Sequence, residues 1–179
     1  MLSTDSQSGR KKLKTAFLHG VIVGVASVGW SLVLYFLGWD SSPFLRNLGF
    51  LTILMLAIGI YSGIQNRRDR QLGGFILYSD ALWTGTVISF ISSLLVAAFA
   101  YYYILKLNPG LTQLVINEKA EVFAKVGAGA DKIERYSKWL RKEYSPMGQL
   151  ILNGGGTFLF GIIFSAIFSI FLFEKKPGD

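Results

Sequence analysis

Polar side chains in or beside long apolar runs are the residues of this sequence that could carry chemistry. His19, Asp80 and Asn153 stand in such places, and ionisable or amide groups there are functional candidates because a bilayer interior disfavours them. His19, the only histidine, could serve a proton-linked step, or it could reach water and headgroups at the interface. Asp80 is expected to cap a helix start, where a negative charge is favourable.

The residue pattern of a catalytic centre or cofactor site is absent from the sequence. The chain has no cysteine and one histidine, and its carboxylates are scattered, so the convergent ligands that a metal needs are missing. The basic stretch before Gly73 and Gly74 lacks the spacing of a Walker loop, and no predicted strand precedes it. The sequence therefore predicts a protein that is not an enzyme and has no catalytic, metal-binding or cofactor-binding residues.

A dense basic cluster, formed by Arg67, Arg68 and Arg70, follows the second apolar run. Such clusters beside apolar runs are typical of orientation signals, and arginine there attracts anionic headgroups. We therefore expect these three side chains to contact anionic lipid. The net charge of +7 could also indicate nucleic acid, but no basic, aromatic-interleaved recognition element is present, so no nucleic-acid partner is predicted.

The elements that hold these residues are those of an all-α integral membrane protein, a four-helix bundle in one membrane domain covering residues 1–179. Of the residues, 51% are hydrophobic, and the 16% that are charged cluster between long apolar runs. At about 1.5 Å per residue, four of these runs can cross a hydrocarbon core of about 30 Å. The predicted spans cover residues 16–37, 43–64, 81–105 and 147–173, after a polar and basic tail at 1–14.

Three prolines mark predicted helix starts. Each follows a residue whose side chain can cap a helix, in the pairs Ser42-Pro43, Asn108-Pro109 and Ser145-Pro146. Proline is favoured at the first helical position because its missing N–H has no partner there in any case.

Residues 106–146 predict an extramembrane segment of two amphipathic helices, split by the glycines near 127–129. In the second helix, Ile133, Tyr136 and Leu140 share an apolar face, and with Trp139 they form a candidate docking surface. This face could lie on the lipid interface, cover the end of the bundle, or meet a partner protein.

Small residues at four-residue spacing occur in every predicted span. They form grooves that let helix backbones approach closely, which predicts a compact bundle, although one groove could instead be a homodimer seam. The candidate packing positions are Gly20, Gly24, Gly59, Gly63, Gly161 and Ser165. The three glycines at 154–156 cost about 1 kcal/mol each against alanine in a helix, so they indicate either close packing, which we favour, or a hinge that lines a polar cavity.

The basic residues predict the orientation. Four of them precede the first span and face only Arg46 across it, which predicts that both termini lie in the cytoplasm of a bacterium and that the protein is in the inner membrane. Residues 106–146 are then periplasmic.

The order of several short motifs resembles a known family. It comprises R-R-D-R-Q-L-G-G-F after the second span, S-D-A-L-W-T-G at the third, a tyrosine run, a charged helical segment and a glycine-bearing fourth span. Together, from the first span to Phe173, they resemble a four-span inner-membrane family of unknown function found mainly in Bacteroidota. The resemblance implies no assigned activity and no functional residues. Members are often encoded near a polyprenyl-phosphate glycosyltransferase, which suggests such a system as a partner.

These observations predict a non-enzymatic accessory or scaffold subunit, with the lipid bilayer and a membrane protein or a second copy as partners. A polyprenyl-linked glycosyl-transfer system is the expected context. The alternative is a small-molecule or ion transporter acting as a homo-oligomer. His19, Asn153 and the triple glycine favour transport, whereas the scarcity of buried charge and the lack of internal repeats argue against it.

Overall fold

The computed structural model describes the backbone of residues 2–174 and the side chains of residues 13–174. The helices in chain order are α1 (Leu2–Phe36), α2 (Pro43–Arg46), α3 (Leu51–Gln71), α4 (Tyr78–Tyr102), α5 (Leu111–Lys125), α6 (Ala130–Glu143) and α7 (Pro146–Leu172). Short 3-10 turns at Trp39–Ser41 and Asn47–Phe50 flank α2, and a π turn at Tyr103–Leu107 continues α4. Within the described backbone, an isolated β-bridge pairs Ile76 with Glu174.

Four stretches of this chain are long and apolar enough to cross a membrane: Leu13–Phe36, Pro43–Gln71, Tyr78–Leu107 and Pro146–Leu172. Large apolar side chains along them are exposed, such as Ile58 at 68% and Ile170 at 66%, which suits a lipid solvent. The prediction of a multi-pass, all-helical membrane protein is confirmed.

The long helices pack so that α1 and α7 each lie against both α3 and α4, and the most extensive contact joins α4 to α7. Fully buried aliphatic side chains from α3 and α4, including Leu56, Ile60 and Ile88, form the centre of the core. Buried serines lie on α4 and α7, and hydroxyls such as those of Ser89 and Ser165 donate to carbonyls of their own helices. These buried hydroxyls therefore have hydrogen-bond partners within the protein and do not need water.

Glycines set how closely these helices approach. A Cβ added at Gly161 would lie 2.2 Å from the Oγ of Ser89, and one added at Gly85 would lie 2.4 Å from the Oγ of Ser165. Added Cβ atoms at Gly20, Gly24, Gly59 and Gly63 would likewise lie 2.0 to 2.7 Å from a side chain of a neighbouring helix. All six predicted packing positions thus lie at helix contacts within one chain.

The triple glycine lies inside an unbroken α7. A Cβ at Gly154 would lie 2.6 Å from the Cβ of Ala97, so this glycine is required by close packing against α4. No atom lies within 4 Å of the positions that Cβ atoms would take at Gly155 and Gly156. Intramolecular packing therefore explains the first glycine of the three and not the other two.

Several element boundaries differ from the sequence-based expectations. The first helix begins at Leu2, so residues 2–14 are helical and not a separate tail, and α3 continues through the arginine-rich stretch to Gln71. Helix α5 begins at Leu111, after an N-cap at Gly110, because the side chain of Asn108 is engaged with Asp40 instead of capping the helix. Ser145 does cap α7, since its Oγ accepts from the backbone N–H of Gly148 at 3.0 Å.

Candidate functional site

A polar cluster lies at the end of the bundle that carries the α1–α2 and α4–α5 connections, which we call the loop end. Its centre is Asp40, which is only 7% exposed. The Oδ2 of Asp40 accepts hydrogen bonds from the hydroxyl of Tyr103 and from the Nδ2 of Asn108, the latter at 2.6 Å. The Oδ1 accepts a longer bond of 3.5 Å from the hydroxyl of Ser41. The donors to this buried carboxylate are therefore neutral groups.

Local backbone geometry brings these groups together. Gly38 has a φ of 66°, a left-handed conformation that ends α1 and that glycine adopts without strain. The following 3-10 turn buries Asp40, and Pro43 then occupies the first turn of α2. On the facing element, the π turn ends with the N–H of Asn108 donating to the carbonyl of Tyr103 at 2.8 Å. That bond holds both donors on the same side of the chain as the carboxylate.

Arg46 connects this cluster to the segment between the third and fourth spans. Its Nη2 lies 2.5 Å from the Oε2 of Glu118 on α5, and its Nη1 donates to the backbone carbonyl of Asp40 at 3.4 Å. The two charged side chains are 21% and 22% exposed, so water screens this pair less than an ordinary surface pair. For the residues whose side chains are described, no ion pair involves the carboxylate of Asp40.

Two cavities adjoin this end of the bundle between α1 and α7. One of about 220 Å³ is lined by Asp40, Arg46 and Tyr103, together with aromatic and aliphatic side chains. The other, of about 280 Å³, lies nearer to α3. Asn153 lines both, and its Nδ2 donates to the carbonyl oxygen of Gln149 at 3.0 Å and to the Oε1 of Gln149 at 2.8 Å. Asn153 thus has polar partners on its own helix while its side chain borders the cavities.

Helices α5 and α6 form a hairpin with its own apolar core. Leu140 is 2% exposed and lies among buried residues of α5 and the π turn, and Tyr136 packs on the same cluster. The ring of Tyr136 stacks on Trp139 with 5.4 Å between centroids, and Trp139 is 54% exposed. Ile133 is half-buried. Of the four residues predicted as a docking surface, Tyr136 and Leu140 therefore pack in the hairpin core, and Trp139 is the most exposed.

The opposite end of the bundle, where α3 joins α4, holds a buried ion pair. Arg67 is 5% exposed, and its Nη2 lies 3.1 Å from the Oδ1 of Asp80, while its Nη1 donates to the hydroxyl of Thr84 at 3.3 Å. The burial of Arg67 contradicts the expectation that it contacts lipid headgroups. For Arg68, whose Nε donates to Asp69 at 2.7 Å, and for the exposed Arg70, lipid contact stays a prediction.

Asp80 is not the N-cap residue of a helix, contrary to what the sequence suggested. It lies in the first turn of α4, whose N-cap residue is Leu77 without a side-chain cap. Its negative charge is still favourable near the N-terminus of α4, and its carboxylate also forms an ion pair with Arg67.

His19 lies on α1 at the same opposite end. Its Nδ1 is 2.9 Å from the carbonyl oxygen of Thr15, and its ring faces Gly63 of α3. It also borders an open cavity lined by Gln65, Asn66, Asp69 and Arg70, whose polar groups reach the end of the bundle. The structure therefore places His19 and Asn153 at different ends of the bundle. Asp80 lies at the same end as His19.

The Asp40 cluster is the feature that sequence reasoning missed. The hydrogen bonds between its two halves join residues that are 63 to 72 positions apart in the sequence, so no local spacing indicates that they meet. Two signals were present. One is the single acidic residue between the first two spans, and the other is an asparagine that precedes a proline after the third span. Throughout the described side chains, no three His, Cys, Asp or Glu residues group in a way that could hold a metal ion.

A protein-family model described as "Protein of unknown function (DUF4199)" matches residues 18–173, a range that begins within α1 and ends immediately after α7. No curated protein and no solved structure matches the chain.

Proposed function

The chain belongs to this family of unknown function, DUF4199, and we propose that it is a non-enzymatic accessory or scaffold protein of the bacterial inner membrane. In this proposal the four long helices anchor the protein, and the α5–α6 hairpin is the surface that a partner membrane protein recognises. The observation that carries it is the exposed Trp139 on a hairpin that is firmly joined to the bundle.

Two kinds of contact join the hairpin to the bundle. Arg46 pairs with Glu118, and Ile104 of the π turn lies in the hairpin core. Within the hairpin, the hydroxyl of Thr112 donates to the carbonyl of Tyr144 at 2.9 Å. Such a segment presents its outer face in a fixed orientation, which reduces the entropic cost of binding a partner.

Exposed apolar side chains of the hairpin, which we call its outer face, have the composition of a binding surface. Trp139 of α6 is 54% exposed, Val122 of α5 is 56% exposed, and Val126, immediately after α5, is 73% exposed. All three lie outside the four membrane-crossing stretches. Tryptophan is enriched at the centres of protein interfaces because it supplies a large apolar area with few rotatable bonds.

Transport by a single bundle is less well supported. The cavities that Asn153 borders lie toward the loop end, whereas at the level of Gly85 and Gly161 the helices are in close contact around buried Ile60 and Ile88. A solute would need these contacts to open. We therefore keep a homo-oligomeric transporter as the alternative outcome of the tests and not as a second proposal.

Two finer parts of the proposal rest on the sequence. The basic residues before the first span support cytoplasmic termini and a periplasmic hairpin. The family resemblance makes polyprenyl-linked glycosyl-transfer machinery the first system in which to look for the partner.

The test is a mild-detergent purification from native membranes, scored for a stoichiometric partner. Because Tyr136 and Leu140 belong to the hairpin core, the informative change is Trp139→Ser combined with Val126→Ser on the outer face. We expect this variant to fold and to lose the partner, whereas the control Lys138→Ser, on the charged face of α6, keeps it. Equal partner recovery with both variants would contradict the proposed docking surface.

A further inference from the structure

We infer that the cavity beside Asp40 is a binding site for an ammonium group carried on an apolar body. This inference goes beyond the proposed scaffold function and does not depend on it. It rests on the charge, the walls and the position of the cavity.

The charge at the cavity is uncompensated. Asp40 is 7% exposed and accepts hydrogen bonds from neutral donors, while the guanidinium of Arg46 is matched by Glu118 at 2.5 Å. Asp40, Glu118 and Arg46 thus sum to one negative charge. Because a carboxylate removed from water is costly unless a cation pairs with it, a cation in the cavity would complete the site. The same balance disfavours an anion.

The walls of the cavity favour an organic cation. Aromatic rings of Phe99, Tyr103 and Tyr144 line it together with Leu34 and Val96. Aromatic faces attract ammonium groups, and they do so more strongly when the contact is desolvated. Aliphatic walls beside them suit a hydrocarbon portion and would give nothing to a bare metal ion.

The size fits a ligand larger than water. The cavity volume is about 220 Å³. Engineered cavities of about 150 Å³ take up benzene, so a hydrocarbon of about six carbons with an amine head can enter here.

The position of the cavity suits an amphiphile. Ser31 and Val96 lie within the membrane-crossing stretches, while Asp40 lies between the first two of them. The apolar body would point along the spans and the ammonium toward Asp40. An amine-headed phospholipid and a free hydrophobic amine share this chemistry.

The experiment uses the full chain in a neutral detergent and measures binding of hexylammonium by calorimetry and by the thermal unfolding midpoint. Hexanol and hexanoate are the matched probes of the same chain length. We expect saturable binding of hexylammonium alone. In Asp40→Asn this binding should weaken by about tenfold or more, since a charge-assisted hydrogen bond is lost.

Two further variants keep the test decisive if Asp40→Asn folds poorly. Ala100 lines the cavity, so Ala100→Leu should block hexylammonium while the carboxylate remains. Asp69→Asn removes the same charge at the opposite end of the bundle and should bind as the unmodified protein does. Hexanol binding as tightly as hexylammonium, unchanged affinity in Asp40→Asn or Ala100→Leu, or the absence of saturable hexylammonium binding would each overturn the inference.

The source of the ammonium group is decided by native mass spectrometry after extraction from membranes that contain phosphatidylethanolamine and phosphatidylglycerol. Retention of phosphatidylethanolamine by the unmodified protein, and its loss in Asp40→Asn, identifies a lipid headgroup. Saturable hexylammonium binding without any lipid preference identifies a free amine.

Discussion

Two glycines of α7, six residues apart, are expected to respond in opposite directions to the same substitution. In Gly161→Ala the new Cβ would lie 2.2 Å from the Oγ and 2.3 Å from the Cβ of Ser89 on α4. Ordinary carbon–carbon contact is about 3.5 to 4.0 Å, so α4 and α7 would have to separate by more than about 1 Å. In Gly155→Ala no atom lies within 4 Å of the new Cβ.

The magnitudes follow from two opposing effects. Alanine is more favourable than glycine in a helix interior by about 1 kcal/mol, and this gain applies to both variants. Overpacking a close contact costs about 1 to 3 kcal/mol, and the shortness of the contact at Gly161 places it at the upper end. We therefore expect Gly161→Ala to lower the free energy of unfolding by about 2 kcal/mol and Gly155→Ala to raise it by up to about 1 kcal/mol.

The assay is unfolding in mixed micelles with increasing denaturing detergent, followed by tryptophan fluorescence. Gly156→Ala is a second control, because its Cβ would also meet nothing within 4 Å. Gly38 is unsuitable as a control, since its φ of 66° would strain any larger residue. Equal effects at Gly155 and Gly161 would refute the packing argument. Destabilisation by Gly155→Ala would show that this face meets a second copy or a partner.

Three further predictions concern charge and orientation. Burial raises the pKa of the Glu143 carboxyl, so the folded protein holds its proton more tightly than the unfolded chain does. The stability of the protein should therefore fall as pH rises from the unfolded-state pKa through the folded-state pKa. Thermal unfolding measured against pH should show this loss, and Glu143→Gln should remove the pH dependence. Asp80→Asn should lower the free energy of unfolding by about 3 kcal/mol, because it leaves the buried charge of Arg67 without its partner. This value is the low end for breaking a buried pair, since Asp80 is 31% exposed. No loss of stability would contradict a stabilising role of the pair. Single cysteines at Gln71 and Lys132 should react oppositely with an impermeant reagent applied from the periplasm, only position 132 being labelled, and labelling at 71 alone would reverse the orientation.

Features set by neighbouring residues could be predicted from the sequence. The four spans follow from runs of apolar residues, and the cap at Ser145 follows from its position three residues before the N–H that it accepts. The two helices of the hairpin follow from their periodicity and from the break that contains Gly127, whose φ is 72°. Each of these depends on a segment of 30 residues or fewer.

Features set by distant residues could not be predicted. The spacing of Gly59 indicated a close contact, but not that Val23 of α1 fills it. Arg67 had the sequence context of a surface charge, and its burial depends on Asp80, which reaches it only after the chain turns back. Nothing near Asp40 in the sequence indicates that a tyrosine 63 positions later donates to it.

The docking role of the hairpin is tested most directly by photo-crosslinking in native membranes from a photoreactive amino acid at position 139. The account predicts one dominant protein adduct that is absent when the photoreactive residue is placed at position 138, because Trp139 is an exposed aromatic side chain whereas Lys138 pairs with Glu134. Adducts to lipid alone would contradict it. So would solute flux that depends on His19, measured with the purified protein alone in vesicles.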